Sequence, residues 1–333
     1  LERIYRSHYY TPAPDGIAVQ FRNDFLLMLE KFGLVSPRQV LLEIGASDGD
    51  VLAELRTRTS AAHAYAFEPN KENAAIATRR GLDVRECFFG GDVTKEELEP
   101  ADLIYARHVI EHIFEFEDFF AGLNATATPA ADFILETPSL DFHAGKSSTA
   151  PFHIEHVHVF SLRSLATLSL AHGWRLTDAE VTVDGNLIAA FKRTSAFDRV
   201  DAGVKVPPPI LDGIQQAVDR RRTRLRKLLV DRQLVFWGAG SAGVGLVSTI
   251  GREPDIWTDG NPNKVGKKFV GLNCEIVSPE TAFSQVRFKG FNNPVLVIAS
   301  SFAREILPRI GQLGWESEVF DLAGNLLQDK RRL

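Results

Sequence analysis

Cysteine is almost absent. Cys87 and Cys274 are the only two among 333 residues, which excludes a disulfide scaffold and any cysteine-rich zinc module and suits a reducing compartment. A basic excess is missing too. Lys and Arg total 38 against 43 Asp and Glu, a net charge of −5, whereas a dedicated nucleic-acid binder carries a basic surplus. No apolar run approaches the roughly 20 residues that span a bilayer, and no signal peptide opens the chain, which begins at Leu1. What is present is ordinary globular composition, 44% hydrophobic and 24% charged, in a length that suits two domains. The expectation is a soluble, cytoplasmic protein with neither nucleic acid nor membrane as partner.

An aromatic stretch, Tyr5, Tyr9 and Tyr10, precedes a Pro/Gly-containing loop, and Phe21, Phe25, Leu29 and Phe32 recur at helical spacing. Strand and helix patterns then alternate. Strands are predicted at Val40–Ile44, Ala64–Phe67, Asp83–Phe88, Leu103–Ala106 and Phe133–Leu135, with helices at Val51–Arg58 and Lys71–Arg80. Such alternation predicts a parallel sheet covered on both faces. A turn at Asp184-Gly185-Asn186 between two apolar runs predicts a hairpin closing this first domain. Ser195–Pro209, ending in three prolines, reads as a linker. Ile210–Leu229 reads as a helix whose basic run, Arg220-Arg221-Arg222 with Arg224, Arg226 and Lys227, is a solvated face. A second α/β pattern starts at Leu234, with strands at Asp255–Thr258 and Val295–Ala299.

Two strand–glycine–helix openings carry the chemistry. In the first, Leu41-Leu42-Glu43-Ile44-Gly45-Ala46-Ser47-Asp48-Gly49, the glycines permit a tight turn and close approach of a ligand. Glu43 and Asp48 place carboxylates beside the loop, which repels a phosphate and favours an ammonium or a sulfonium. The next strand ends in Glu68-Pro69, and a carboxylate at that position can accept both hydroxyls of a ribose. Together these residues read as an adenosine site without pyrophosphate recognition.

Glu-x-Gly-x-x-x-Gly followed by a strand-end Glu resembles the class I methyltransferases that use S-adenosylmethionine. The segment Ala101–Ile113, containing Arg107 and His108, is similar to their fourth-strand motif. The resemblance implies S-adenosylmethionine as cofactor. Its contacts would come from Glu43, Gly45, Ser47, Asp48, Gly49, Glu68, Pro69, Arg107 and His108, with Phe88 and Phe89 near the adenine.

Thr149–Ser161 holds His153, Glu155, His156 and His158 shortly after the fifth strand, at the edge where open α/β sheets bind ligands. Three readings stand: satisfied packing histidines, a metal site of His153, His156 and His158, or a general base whose tautomer and charge Glu155 sets. Alternate spacing on an extended segment sends side chains to opposite faces and argues against the metal. The stretch resembles the Tyr-His-Glu-His…Phe-Ser segment of sugar C-methyltransferases of deoxysugar pathways, matching at Glu155, His156 and Phe160-Ser161. His153 stands where that family has tyrosine, and Ile154 where it has the first histidine. Glu136 matches the family's strand-five carboxylate, and Tyr9-Tyr10 its entry stretch; its zinc module has no counterpart, since no Cys-x-x-Cys occurs here. The resemblance implies His156 as base, Glu155 and His153 as its catalytic companions, and Tyr9, Tyr10 and Glu136 as substrate contacts.

The second opening, Gly238-Ala239-Gly240-Ser241-Ala242-Gly243, fits G-x-G-x-x-G, with Asp259 at the end of the following strand. At face value this is a dinucleotide fingerprint. Residues 234–320 also resemble the C-terminal domain of the same C-methyltransferases, in Asp259–Gly266, Ile276–Glu280 and the strand Val295–Ala299. That likeness implies a lobe that completes the substrate cleft, with Gly238, Gly240 and Asp259 meeting the acceptor.

The expected architecture is a Rossmann-like α/β methyltransferase domain at 1–195, a linker and connecting helix at 196–232, and a smaller Rossmann-like α/β domain at 233–333. The expected activity is methyl transfer from S-adenosylmethionine to carbon, alpha to a keto group of a nucleotide-linked deoxysugar, with no metal. An O- or N-methyltransferase on another natural-product or polysaccharide precursor is the first alternative. An NAD-binding dehydrogenase or redox sensor is the second.

Overall fold

The computed structural model describes residues 17–38, 40–90, 98–145, 151–152, 155–194, 208–292, 294–300 and 303–328. Contacts divide the chain into two compact units, one built around each sheet.

The first unit is a seven-stranded sheet in the order β3-β2-β1-β4-β5-β7-β6. Its strands are β1 (Val40–Ile44), β2 (His63–Phe67), β3 (Asp83–Arg85), β4 (Ala101–Arg107), β5 (Ala127–Pro138), β6 (Trp174–Val181) and β7 (Asn186–Arg193). The first five are mutually parallel; β7 runs antiparallel to both neighbours. All five residues of β1 are buried because successive side chains enter two different cores. Val40, Leu42 and Ile44 join one cluster with Ile104 and Phe133, while Leu41 joins the other with Leu103 and Ile134. The helix Ile17–Lys31 closes the second cluster with Phe25, Leu26 and Leu29, the helical face expected from its aromatic spacing.

Three boundaries differ from the sequence reading. β3 stops at Arg85, where the Cys87 N–H turns back to the Arg85 carbonyl at 2.9 Å, so Phe88 and Phe89 lie beyond the strand. β5 extends well beyond Phe133–Leu135, since Asp132, Glu136 and Thr137 pair through their backbones, which side-chain patterning does not register. The hairpin forms around the expected turn, but β6 begins as early as Trp174.

The second unit includes the helix Pro208–Leu229, which buries Leu225 and Leu229 in its core. Its sheet has the order β10-β9-β8-β11-β12-β13, from β8 (Leu234–Trp237), β9 (Ile256–Thr258), β10 (Ile276–Val277), β11 (Val295–Ile298), β12 (Val319–Phe320) and β13 (Leu326–Gln328). All pairs but β12–β13 are parallel. The basic run is partly structural: Arg221 Nε donates to the Leu322 carbonyl at 2.8 Å and Arg226 Nε to the Thr249 carbonyl at 3.1 Å, while Arg220, Arg222, Arg224 and Lys227 stay exposed. Among the described residues no helix is long and apolar enough to cross a membrane.

Candidate active site

β1 delivers the chain into a turn with three left-handed residues, Gly45 (φ 76°), Ser47 (φ 49°) and Gly49 (φ 74°), before the helix Asp50–Thr59. Ser47, the non-glycine, is held there by a neighbouring carboxylate: its N–H donates to Glu68 Oε2 at 2.7 Å. Glu68 Oε1 accepts the Asn70 N–H at 2.8 Å. Burial raises the Glu68 pKa and these two backbone bonds oppose it. A carboxylate has about four acceptor positions, so two remain for a ribose's hydroxyls. Packing alone requires glycine at Gly49, because a Cβ there would lie 2.5 Å from Leu82 Cδ1 and 2.8 Å from Ala77 Cβ. Asp48 is neutralised by Arg80 at 2.8 Å, and Pro69 is half-buried between Glu68 and Asn70.

Glu43 is 3% exposed, and among the described residues its Oε2 has no hydrogen-bond partner. Burial pushes its carboxyl up to about 8; Arg107 opposes the shift, and the charges of Asp48 and Glu68 add to it. Directly opposite on β4, the buried Tyr105 hydroxyl faces the Glu43 carboxyl and, like Arg107, holds its pKa down. Arg107 Nε pairs with Glu136 Oε2 at 2.5 Å, and its guanidinium lies 4.6 Å from the centre of the Phe25 ring.

At the end of β4 the chain turns sharply. His108 is left-handed (φ 52°), with its N–H on the Glu136 carbonyl at 2.8 Å. Its Nδ1 lies 3.2 Å from Glu111 Oε1 and its Nε2 3.8 Å from Glu136 Oε1. Burial disfavours the imidazolium, but these two carboxylates outweigh it and raise the His108 pKa. The turn Ile110–His112 then anchors the histidine segment: the Glu111 carbonyl accepts the N–H groups of Val157 and His158 at 3.0 and 3.1 Å. Thr137 donates its hydroxyl to Glu111 Oε2 at 3.1 Å. His112 Nδ1 meets the Glu155 carbonyl at 2.7 Å, and its ring stands edge-on to His156, centroids 4.9 Å apart.

Glu155 therefore meets this network through its carbonyl and by way of His112. Glu136, expected to meet the acceptor, is 2% exposed and positions Arg107 and His108. Phe89, expected near adenine, packs edge-on against Phe67 and Phe119 in the core, whereas Phe88 is 37% exposed. His158 packs against Phe116 at 4.6 Å. Tyr9, Tyr10 and His153 lie outside the described residues. Glu111, His112 and Thr137 escaped sequence reasoning; the only signal was the spacing of Glu111 and His112, three and four residues after His108.

In the second unit, Gly238 (φ 122°) lets the backbone pass where a Cβ would lie 2.4 Å from the Ala299 carbonyl oxygen, and Gly240 caps the helix Ser241–Ile250. Asp259 repeats the Glu68 arrangement: Oδ2 accepts the Ala239 N–H at 2.7 Å and Oδ1 the Asn261 N–H at 2.8 Å. Lys264 Nζ takes a further position at 3.1 Å. Three of about four acceptor positions are filled, too many for Asp259 to receive both hydroxyls of an NAD ribose.

The strand order and the carboxylate-clamped glycine loop at the carboxyl ends of β1 and β2 define the class I methyltransferase architecture. The loop suits S-adenosylmethionine: a buried carboxyl at Glu43 complements a cationic amino acid, and Glu68 retains acceptors for ribose. A family model and a curated relative agree. A family model described as a methyltransferase domain matches residues 20–179. The C-methyltransferase NovU of Streptomyces niveus is 28% identical over 300 residues, 79% of this chain and 70% of that protein. Among solved structures, magnesium protoporphyrin IX methyltransferase from Synechocystis PCC 6803 with bound SAH is a distant likeness, with a TM-score of 0.43 and 12% identity over 58% of this chain and 98% of that one. N-methyltransferase NodS from Bradyrhizobium japonicum is another, with a TM-score of 0.41 and 14% identity over 55% and 99%. The chain carries a class I S-adenosylmethionine-dependent methyltransferase domain, which the family model matches over residues 20–179.

Proposed function

We propose that this enzyme methylates carbon, alpha to the keto group of a nucleotide-linked deoxysugar, with His156 as the base. The observation that carries the reading is the His112–His156 pair, pinned to the end of β4 by the Glu111 and Glu155 carbonyls. The C-methyltransferase name of the S. niveus relative and the matching Glu155, His156 and Phe160-Ser161 support it.

A proton alpha to a ketone is weakly acidic, and an imidazole that titrates near neutrality is matched to removing it. His156 takes that proton, and the electron pair moves into the enolate. The bound cofactor supplies the electrophilic methyl group. The chain holds the nucleophilic carbon in line, at about 3–3.5 Å from that methyl, and excludes water. His108, whose pKa Glu111 and Glu136 raise against burial, is proposed to offer an N–H or positive charge to the enolate oxygen. Phe88, Tyr9, Tyr10 and His153 are proposed ligand contacts, and Gly238, Gly240 and Asp259 are proposed to serve the acceptor's nucleotide portion.

The test is hydrogen exchange. With S-adenosylhomocysteine in deuterated water, the wild-type enzyme should exchange the acceptor's alpha proton and His156→Ala should not. Methyl transfer to an acceptor with no acidic C–H, without exchange, would support an O- or N-methyltransferase instead.

A further inference from the structure

Among the described residues, Glu111, His112 and His156 each offer a metal-ligating atom, all three within 4.8 Å of one another. This is not the His153, His156 and His158 set suggested by the sequence. Only His156 is shared, and the other two come from the turn after β4.

The surroundings orient these groups as ligands. The Glu155 carbonyl can only accept, so His112 Nδ1 carries the proton and the lone pair sits on Nε2. A backbone carbonyl on the far ring nitrogen is the usual support of a metal-bound histidine. The Glu111 carboxylate is fixed by the Thr137 hydroxyl at 3.1 Å and by His108 at 3.2 Å, with acceptor positions to spare. Two imidazoles and one carboxylate are borderline donors, suited to zinc-class ions rather than to magnesium or calcium. A tetrahedral zinc ion with bonds near 2.0–2.1 Å places its ligand atoms about 3.3 Å apart. The three side chains would draw together on binding, and three ligands leave a fourth position open.

We propose that Glu111, His112 and His156 bind a divalent transition-metal ion reversibly, and that this ion inhibits methyl transfer by occupying the lone pair of His156. Binding stands on the geometry alone; the inhibition rests on the proposed role of His156 as base.

The experiment uses the full chain after chelator treatment, with Co2+ as the optical probe and Zn2+ as competitor. Expected are a saturable one-to-one Co2+ spectrum of low coordination number, its displacement by Zn2+, and at least a tenfold loss of affinity in His112→Ala, since even outer-shell changes cost about 10–100-fold. His112→Gln and circular dichroism separate a lost ligand from a lost fold. Zn2+ should lower the wild-type methylation rate, and EDTA should restore it. Unchanged Co2+ affinity in folded His112→Ala and His156→Ala overturns the site. Site-specific Zn2+ binding with undiminished methylation overturns the inhibition and the base assignment, while the metal site stands.

Discussion

Glu68→Gln tests the cofactor loop most sharply. The carboxylate receives the Ser47 N–H on one oxygen and the Asn70 N–H on the other, at 2.7 and 2.8 Å. An amide offers one oxygen and one NH2, so one N–H keeps an acceptor while the other faces a donor. A hydrogen bond to a charged group contributes about 1.5–3 kcal/mol. The net cost should fall in the lower half of that range, because the neutral amide escapes the burial penalty that raises the Glu68 pKa. In a domain of this size each kcal/mol moves Tm by about 2–4 °C, so the apoprotein should melt roughly 3–9 °C lower. Affinity for S-adenosylmethionine should fall further, by about 10- to 150-fold, if the remaining acceptor positions bind ribose. Scanning fluorimetry of the apoprotein and titration calorimetry read the two effects separately. A lowered Tm with undiminished affinity would refute the ribose contact, and an unchanged Tm would refute the clamp on Ser47.

Glu43 should make stability depend on pH. Its carboxyl keeps its proton up to about 8 when folded but releases it near 4.5 when unfolded, so its contribution is complete below about 4.5 and is lost as pH rises through 8. Urea melts from pH 5 to 8 should show a shallower decline for Glu43→Gln than for wild type; parallel profiles would contradict the assignment. A cationic ligand favours ionised Glu43, so S-adenosylmethionine binding should release protons, detectable by calorimetry in buffers of different ionisation enthalpy. His156→Ala should retain cofactor affinity and lose about 10²–10⁴ in methylation rate, whereas His158→Ala, a packing change against Phe116, should alter Tm more than rate. Asp259→Ala should leave S-adenosylmethionine affinity intact, and wild type should show no saturable NAD binding in the millimolar range; NAD binding abolished by that substitution would revive the dehydrogenase reading.

Legibility tracked how local each signal was. β1, the helix after it, β2 and Glu68 were readable because apolar runs, glycines and a strand-end carboxylate follow one another within 30 residues. Gly49 looked like a ligand-approach glycine, yet its constraint comes from Leu82 and Ala77 on another segment. Phe88 and Phe89 were indistinguishable as a pair; only the Phe67 and Phe119 rings decide which one is core. The site network was the least visible part. Val157, His158 and the Glu155 carbonyl meet Glu111 and His112 across more than 40 residues of chain, mostly through backbone groups that every residue carries. Asp259 matched a ribose-binding position in sequence, and only the structure shows Lys264, Ala239 and Asn261 filling it.

The most direct measurement is the bonding of the transferred methyl group. S-adenosylmethionine labelled with 13C at the methyl should be turned over with 3-keto and 4-keto nucleotide-linked deoxysugars, and the product examined by carbon NMR. C-methylation gives a methyl bonded to ring carbon, with one-bond carbon–carbon coupling when the sugar is also labelled. A methyl resonance in the oxygen- or nitrogen-bound region, without that coupling, would contradict carbon as the acceptor and His156 as an enolising base.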